Sequence, residues 1–132
     1  MNDLRKVYVE ITSDCNLQCG MCMRNGWEDP IRSMRPETFA NLVSHLRGIP
    51  SVSVVNFRGL GEPTVHPLYL EFLLSVKEAG LRAEHVTNGI ALEITVLEKL
   101  IELEVDKLVV SLDGAGSSAD GAFHSDSLER IH

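Results

Sequence analysis

"RKVYVEITSDCNLQCGMC", residues 5–22, runs a β-forming segment straight into a loop that holds every cysteine of the chain. Val7, Val9 and Ile11 alternate with other residues over 5–12, which predicts a strand. Cys15, Cys19 and Cys22 follow within eight positions, so the thiols lie beyond the carboxyl end of that strand. Three thiols cannot pair off, and a closed structural zinc site takes four ligands. The spacing C-x3-C-x2-C asks for a centre that uses three protein ligands and keeps one position free.

Working outward, further runs rich in Val or other β-formers and free of proline follow in "SVSVVNF" (51–57), "RAEHVT" (82–87) and "DKLVVSL" (106–112). Helical patterns separate these strands. "PETFANLVSHLRG" (36–48) sets Phe39, Leu42, Val43 and Leu46 on one face, with Pro36 in the first turn and Gly48 at the C-cap. "HPLYLEFLLSVKEAG" (66–80) aligns Leu70, Leu73 and Leu74 before a closing Gly80, and "EITVLEKLIELEV" (93–105) aligns Val96, Leu97, Leu100 and Ile101. The order β-α-β-α-β-α-β predicts right-handed crossovers and a parallel sheet. Ligands of such sheets gather beyond the carboxyl ends of the strands. The segments there are "SDCNLQCGMC", "RGLGEP", "TNG" and "DGAG", and they hold the chain's unusual residues.

Bulk properties narrow the function. The 132 residues make one domain, 44% hydrophobic and 23% charged, with no apolar run long enough for a membrane helix. No signal core opens the chain, so a cytoplasmic setting with reduced thiols is expected. Net charge is −7, split as +1 over residues 1–60 (seven Lys/Arg, six Asp/Glu) and −8 over 61–132 (five against thirteen). An acidic half argues against a nucleic-acid partner. Solvated helix faces account for the acids.

Thiolates are soft ligands, suited to iron–sulfur clusters, zinc or copper(I). A [4Fe–4S] cluster held by three cysteines leaves one iron open. With "GLGEP", "TNG" and "SLDG" after successive strands, the chain resembles the radical S-adenosylmethionine (radical SAM) enzymes from about Val7 to Arg130. That family's fold is a partial (β/α)6 TIM-type barrel, and the pattern reads as its N-terminal portion, truncated after the fourth strand.

The resemblance implies that Cys15, Cys19 and Cys22 ligate the cluster and that S-adenosylmethionine chelates the open iron. It implies that Gly61, Glu62 and Pro63 receive the methionine amino group. It also implies that Asn88, Ser111 and Asp113 face the carboxylate and ribose. Met21 stands where the family has an aromatic residue against adenine. A glycine such as Gly61 lets backbone approach a ligand closely. A low-potential donor such as ferredoxin or flavodoxin is the implied electron source.

The continuation "CMRNGW" with "GLGEP" resembles maturases of tungsten-cofactor oxidoreductases, which would give the enzyme a metalloenzyme client. It is equally compatible with molybdopterin-type cyclases and peptide-modifying members. An inactive truncated fragment, a chain completed by a partner, and a zinc module using a nearby histidine are the other readings. Trp27 is expected to pack on neighbouring helices. His45, His66 and His85 are expected in structural or solvated roles, whereas Glu62 is expected to be functional.

Overall fold

The computed structural model describes residues 4–112. It contains β1 (Lys6–Val9), α1 (Pro36–Arg47), β2 (Val54–Phe57), α2 (Tyr69–Glu78), β3 (Arg82–Thr87), α3 (Ile94–Glu102) and β4 (Lys107–Val110). The strands form one parallel sheet in the order β1-β2-β3-β4. Each expected element is present, and several are shorter than their sequence patterns.

The reasons are local. β1 stops at Val9 because Ile11 and Thr12 turn to the segment 32–34: the Met34 amide donates to the Ile11 carbonyl at 2.7 Å, and Thr12 bridges Ser33. β2 starts only at Val54 because residues 49–52 close a turn in which the Val52 amide donates to the Ile49 carbonyl. α2 starts at Tyr69, not at His66. The His66 ring is held by the Met34 carbonyl at Nε2 and accepts from the Leu68 amide at Nδ1, both at 3.0 Å.

One face of the sheet carries the core. Val9, Val55, Phe57, Ala83 and His85 alternate toward α1 and α2, which contribute Phe39, Val43, Leu46, Tyr69, Phe72, Leu73 and Val76. Phe39 and Phe72 stack with centroids 4.1 Å apart. The apolar stripe of α2 is rotated from the expected one: Tyr69, Phe72, Leu73 and Val76 are buried, while Leu74 is exposed. On α3 only Leu100 is fully buried, and Ile101 is exposed.

α2 closes as expected. Gly80 adopts φ 76°, and the Leu81 amide returns to the Val76 carbonyl at 3.2 Å. α3 closes in the same way on a non-glycine residue, Glu104 at φ 51°, with the Val105 amide on the Leu100 carbonyl. Gly48 occupies the C-cap of α1 in an ordinary right-handed conformation. Among the described residues, no helix is long and apolar enough to cross a membrane.

Candidate active site

The carboxyl ends of β1, β2 and β3 are laced to one another. At the base of the cysteine loop, Thr12 and Ser33 hydroxyls meet at 2.9 Å, and the Ser13 and Arg32 segments exchange hydrogen bonds. Asp14 then caps the loop, its Oδ1 accepting from the Cys15 amide at 2.8 Å. None of the three thiols is in a disulfide, and all are partly exposed. Cys15 Sγ accepts from the Leu17 amide at 3.4 Å and faces Asn88 Nδ2 at 3.8 Å. The Cys22 amide donates to the Cys19 carbonyl at 2.9 Å, and Asn25 Nδ2 donates to the Cys19 and Gly20 carbonyls. A short 3-10 turn, Met23–Gly26, follows at once.

The Leu17 amide and the Asn88 side chain thus orient the Cys15 sulfur, a soft donor that suits a soft metal centre. Among the described residues, no group of three or more His, Cys, Asp or Glu side chains is gathered to hold a single metal ion. The donor set of three soft thiols on one tethered loop fits a cluster that takes one cysteine per iron.

Glu62 is 4% exposed and fully engaged. Its Oε1 accepts from the Thr64 amide (3.1 Å), the Thr64 hydroxyl (2.6 Å) and the Thr87 hydroxyl (2.7 Å). Its Oε2 accepts from the Asn88 amide at 2.7 Å, and its own amide donates to the Asp14 carbonyl at 2.7 Å. The carboxylate therefore ties the ends of β2 and β3 together, while the backbone ties both to the cysteine loop.

Gly61 has a reason within the fold besides the expected one. A Cβ there would fall well inside contact of the Thr12 carbonyl oxygen and 2.7 Å from that of Asp14. The close approach that demands glycine is to the chain's own cysteine loop. Pro63 is buried at the start of a 3-10 turn, Pro63–Val65.

Asn88 joins the third strand end to the first. Its Nδ2 donates to Asn16 Oδ1 at 2.7 Å, and its Oδ1 accepts from the Ile90 amide at 3.0 Å. Ser111 is exposed at the end of β4, its amide on the Thr87 carbonyl at 2.8 Å. Met21 is 75% exposed beside the cysteines. Asp113 lies outside the described residues.

Trp27 does not pack on the helices as expected. It is 54% exposed and lines a cavity of ≈ 620 Å³ with Asp29, Arg32, Arg35 and the end of β1. His66 and His85 are both buried, in structural positions as expected. The Tyr69 hydroxyl hydrogen-bonds His85 Nδ1. Burial pushes the His85 pKa down to about 4 and the Tyr69 phenol upward, the latter helped by Glu62.

Sequence reasoning passed over Glu10, Thr87 and Asn16. Glu10 Oε1 accepts from the amides of Leu60 and Gly61, holding the "GLG" turn. Thr87 opens the "TNG" motif and Asn16 sits between Cys15 and Cys19, so both were adjacent to a signal. Glu10 carried none.

With the geometry in view, the relatives agree. The family model "Radical SAM superfamily" matches residues 9–131. The chain is 37% identical over 110 residues to the tungsten-containing aldehyde ferredoxin oxidoreductase cofactor-modifying protein of Pyrococcus furiosus, covering 83% of this chain and 31% of that protein. It is 32% identical over 107 residues to a probable GTP 3',8-cyclase of Pyrococcus abyssi, covering 80% and 33%. Among solved structures, BtrN in complex with AdoMet and 2-DOIA superposes with TM-score 0.76 at 25% identity, covering 98% of this chain and 56% of that one. The chain thus spans about a third of the length of these curated relatives. A parallel sheet with three cysteines at the end of its first strand, matched by this family over residues 9–131, belongs to the radical SAM superfamily.

Proposed function

We propose that this chain is the N-terminal portion of a partial (β/α)6 barrel enzyme that cleaves S-adenosylmethionine reductively. Cys15, Cys19 and Cys22 would hold a [4Fe–4S] cluster and leave a position open for S-adenosylmethionine. A bound cluster would supply the one-electron reduction by which S-adenosylmethionine is cleaved to a hydrogen-abstracting 5′-deoxyadenosyl radical. What supports the reading is the lacing of the three strand ends around Cys15, by Glu62 and Asn88.

The chain's own residues have distinct tasks in it. Asn88 Nδ2 and the Leu17 amide donate toward Cys15 Sγ and orient it. Glu10 and Glu62 clamp the segment 59–62, whose backbone receives the methionine ammonium. Gly61 and Pro63 shape that segment, Asn88 and Ser111 serve the carboxylate and ribose together with Asp113, and Met21 lies over adenine. A ferredoxin or flavodoxin delivers the electron. The likeness to a cofactor-modifying protein favours maturation of a metalloenzyme cofactor as the reaction's purpose.

Anaerobic reconstitution with iron and sulfide tests this. The expected product is a brown protein with broad visible absorption that forms 5′-deoxyadenosine when reduced in the presence of S-adenosylmethionine. Alanine at any one of the three cysteines should abolish both. A chain that takes one zinc and refuses iron would defeat the reading.

A further inference from the structure

The cavity at the carboxyl end of β1 is not used by any of the strand-end motifs. It encloses ≈ 620 Å³, and Trp27, Asp29, Arg32, Arg35, Ile11 and Met34 stand in its lining. Sites for small molecules run to roughly 300–1,000 Å³, so one such molecule fits. Ser13, also in the lining, stands two residues before Cys15, which sets the cavity against the cysteine loop.

The wall is braced through its backbone. The Ser13 amide donates to the Arg32 carbonyl and the Arg32 amide to the Ser13 hydroxyl, both at 2.9 Å. The Met34 amide donates to the Ile11 carbonyl at 2.7 Å, and the Trp27 amide to the Arg24 carbonyl at 3.0 Å. The functional ends of the side chains are uncommitted. The Arg32 and Arg35 guanidinium groups and the Asp29 carboxylate make no hydrogen bond or ion pair among the described residues. The second carboxylate of the lining, Glu10, is already engaged, its Oε1 accepting from the Leu60 and Gly61 amides. Trp27, the chain's one tryptophan, is 54% exposed and keeps an aromatic surface open.

Each uncommitted group selects a part of a ligand. Guanidinium groups donate in a planar fork that matches a carboxylate, and an ionised Asp accepts only, so it asks for a donor. An indole face takes an aromatic ring. A simple anion would satisfy the arginines and be opposed by Asp29; a simple cation would do the reverse. A zwitterion with a ring satisfies all of them.

We propose that the cavity binds a free α-amino acid with an aromatic side chain. Its carboxylate pairs with Arg32 and Arg35, its ammonium with Asp29, and its ring lies on Trp27. A C-terminal residue of a peptide lacks the ammonium, which is why the free amino acid is assigned. Binding there needs neither the cluster nor S-adenosylmethionine.

Trp27 emission reads occupancy directly, because the chain has no other tryptophan. Four probes are titrated into the full 132-residue chain without added metal: L-phenylalanine, 3-phenylpropanoate (no ammonium), 2-phenylethylamine (no carboxylate) and L-alanine (no ring). L-phenylalanine should change the emission saturably, and each of the others should bind at least roughly fivefold more weakly. The double variant Arg32→Gln, Arg35→Gln should reduce L-phenylalanine to the affinity of 2-phenylethylamine. Asp29→Asn should reduce it to that of 3-phenylpropanoate.

These side chains make no bond within the fold, and Arg35 gives α1 no side-chain cap, so thermal melts of the variants should match the unaltered chain. A change in emission that never saturates would overturn the site. So would equal affinity of the unaltered chain for L-phenylalanine and either single-charge probe, or full discrimination kept by folded variants.

Discussion

Gly61, Glu62 and His85 show how single residues here are constrained by what lies across the fold. At Gly61 a Cβ meets the Thr12 carbonyl, a backbone atom that cannot step aside without moving the cysteine loop. Gly61→Val should therefore lower the melting temperature and impair cluster assembly together with S-adenosylmethionine binding. Thermal melts of the metal-free chain and the iron content after reconstitution check this. A variant that assembles the cluster normally and loses only S-adenosylmethionine would contradict it.

Glu62→Ala would leave Thr87, Thr64 and the Asn88 amide without their acceptor. A loss of roughly 2–4 kcal/mol in denaturant unfolding is expected from stranded buried donors. Glu102→Gln, which alters an exposed pair with Lys99, should leave the unfolding midpoint essentially unchanged.

His85 makes stability fall in acid. Its folded pKa is about 4, depressed by burial from the ordinary 6.5, so the unfolded chain binds the proton more readily. Its contribution is complete above pH 6.5 and is lost as the pH falls toward 4, a window whose total is on the order of 3 kcal/mol. The slope of unfolding free energy between these pH values should flatten in His85→Gln.

Elements end where their side chains find other partners, and α2 and α3 make the comparison. Both finish in a left-handed residue that lets the next amide return to the last turn, Gly80 in one and Glu104 in the other. A side chain in that conformation costs about 1 kcal/mol relative to glycine. Glu104→Gly should therefore stabilise the chain by about that amount, read from the midpoint of urea unfolding. Glu98→Gly, within α3, should destabilise by a similar amount. β1 shows the same rule from the opposite side. Its pattern continues to Thr12, yet the ladder ends at Val9 because Ile11 and Thr12 turn to segment 32–34.

At the scale of the whole molecule, the sheet is covered by helices on one face, and the other presents the row Tyr8, Asn56, Glu84 and Lys107. Among the described residues β4 pairs on one side only, with Leu108 and Val109 each 37% exposed. An apolar strand edge of this kind invites pairing with another chain. The 132-residue chain should associate reversibly at high concentration, and Val109→Lys should shift sedimentation toward monomer.

Alternation of strands with helices, the parallel sheet and the cysteine loop at its first strand end could all be read along the chain. Helix and strand periodicities are local, and a strand's direction decides which loops share an edge. Other features arose only when distant segments met. Glu62 binds Thr87 and Asn88, 25 and 26 residues away, and Glu10 holds amides 50 residues on. Gly61 is glycine because of Thr12, and Asn56 is stranded because Glu84 fixes its amide. No window of sequence contains both partners of such a contact. Register and loop path bring them together, and these are set by packing of the whole sheet.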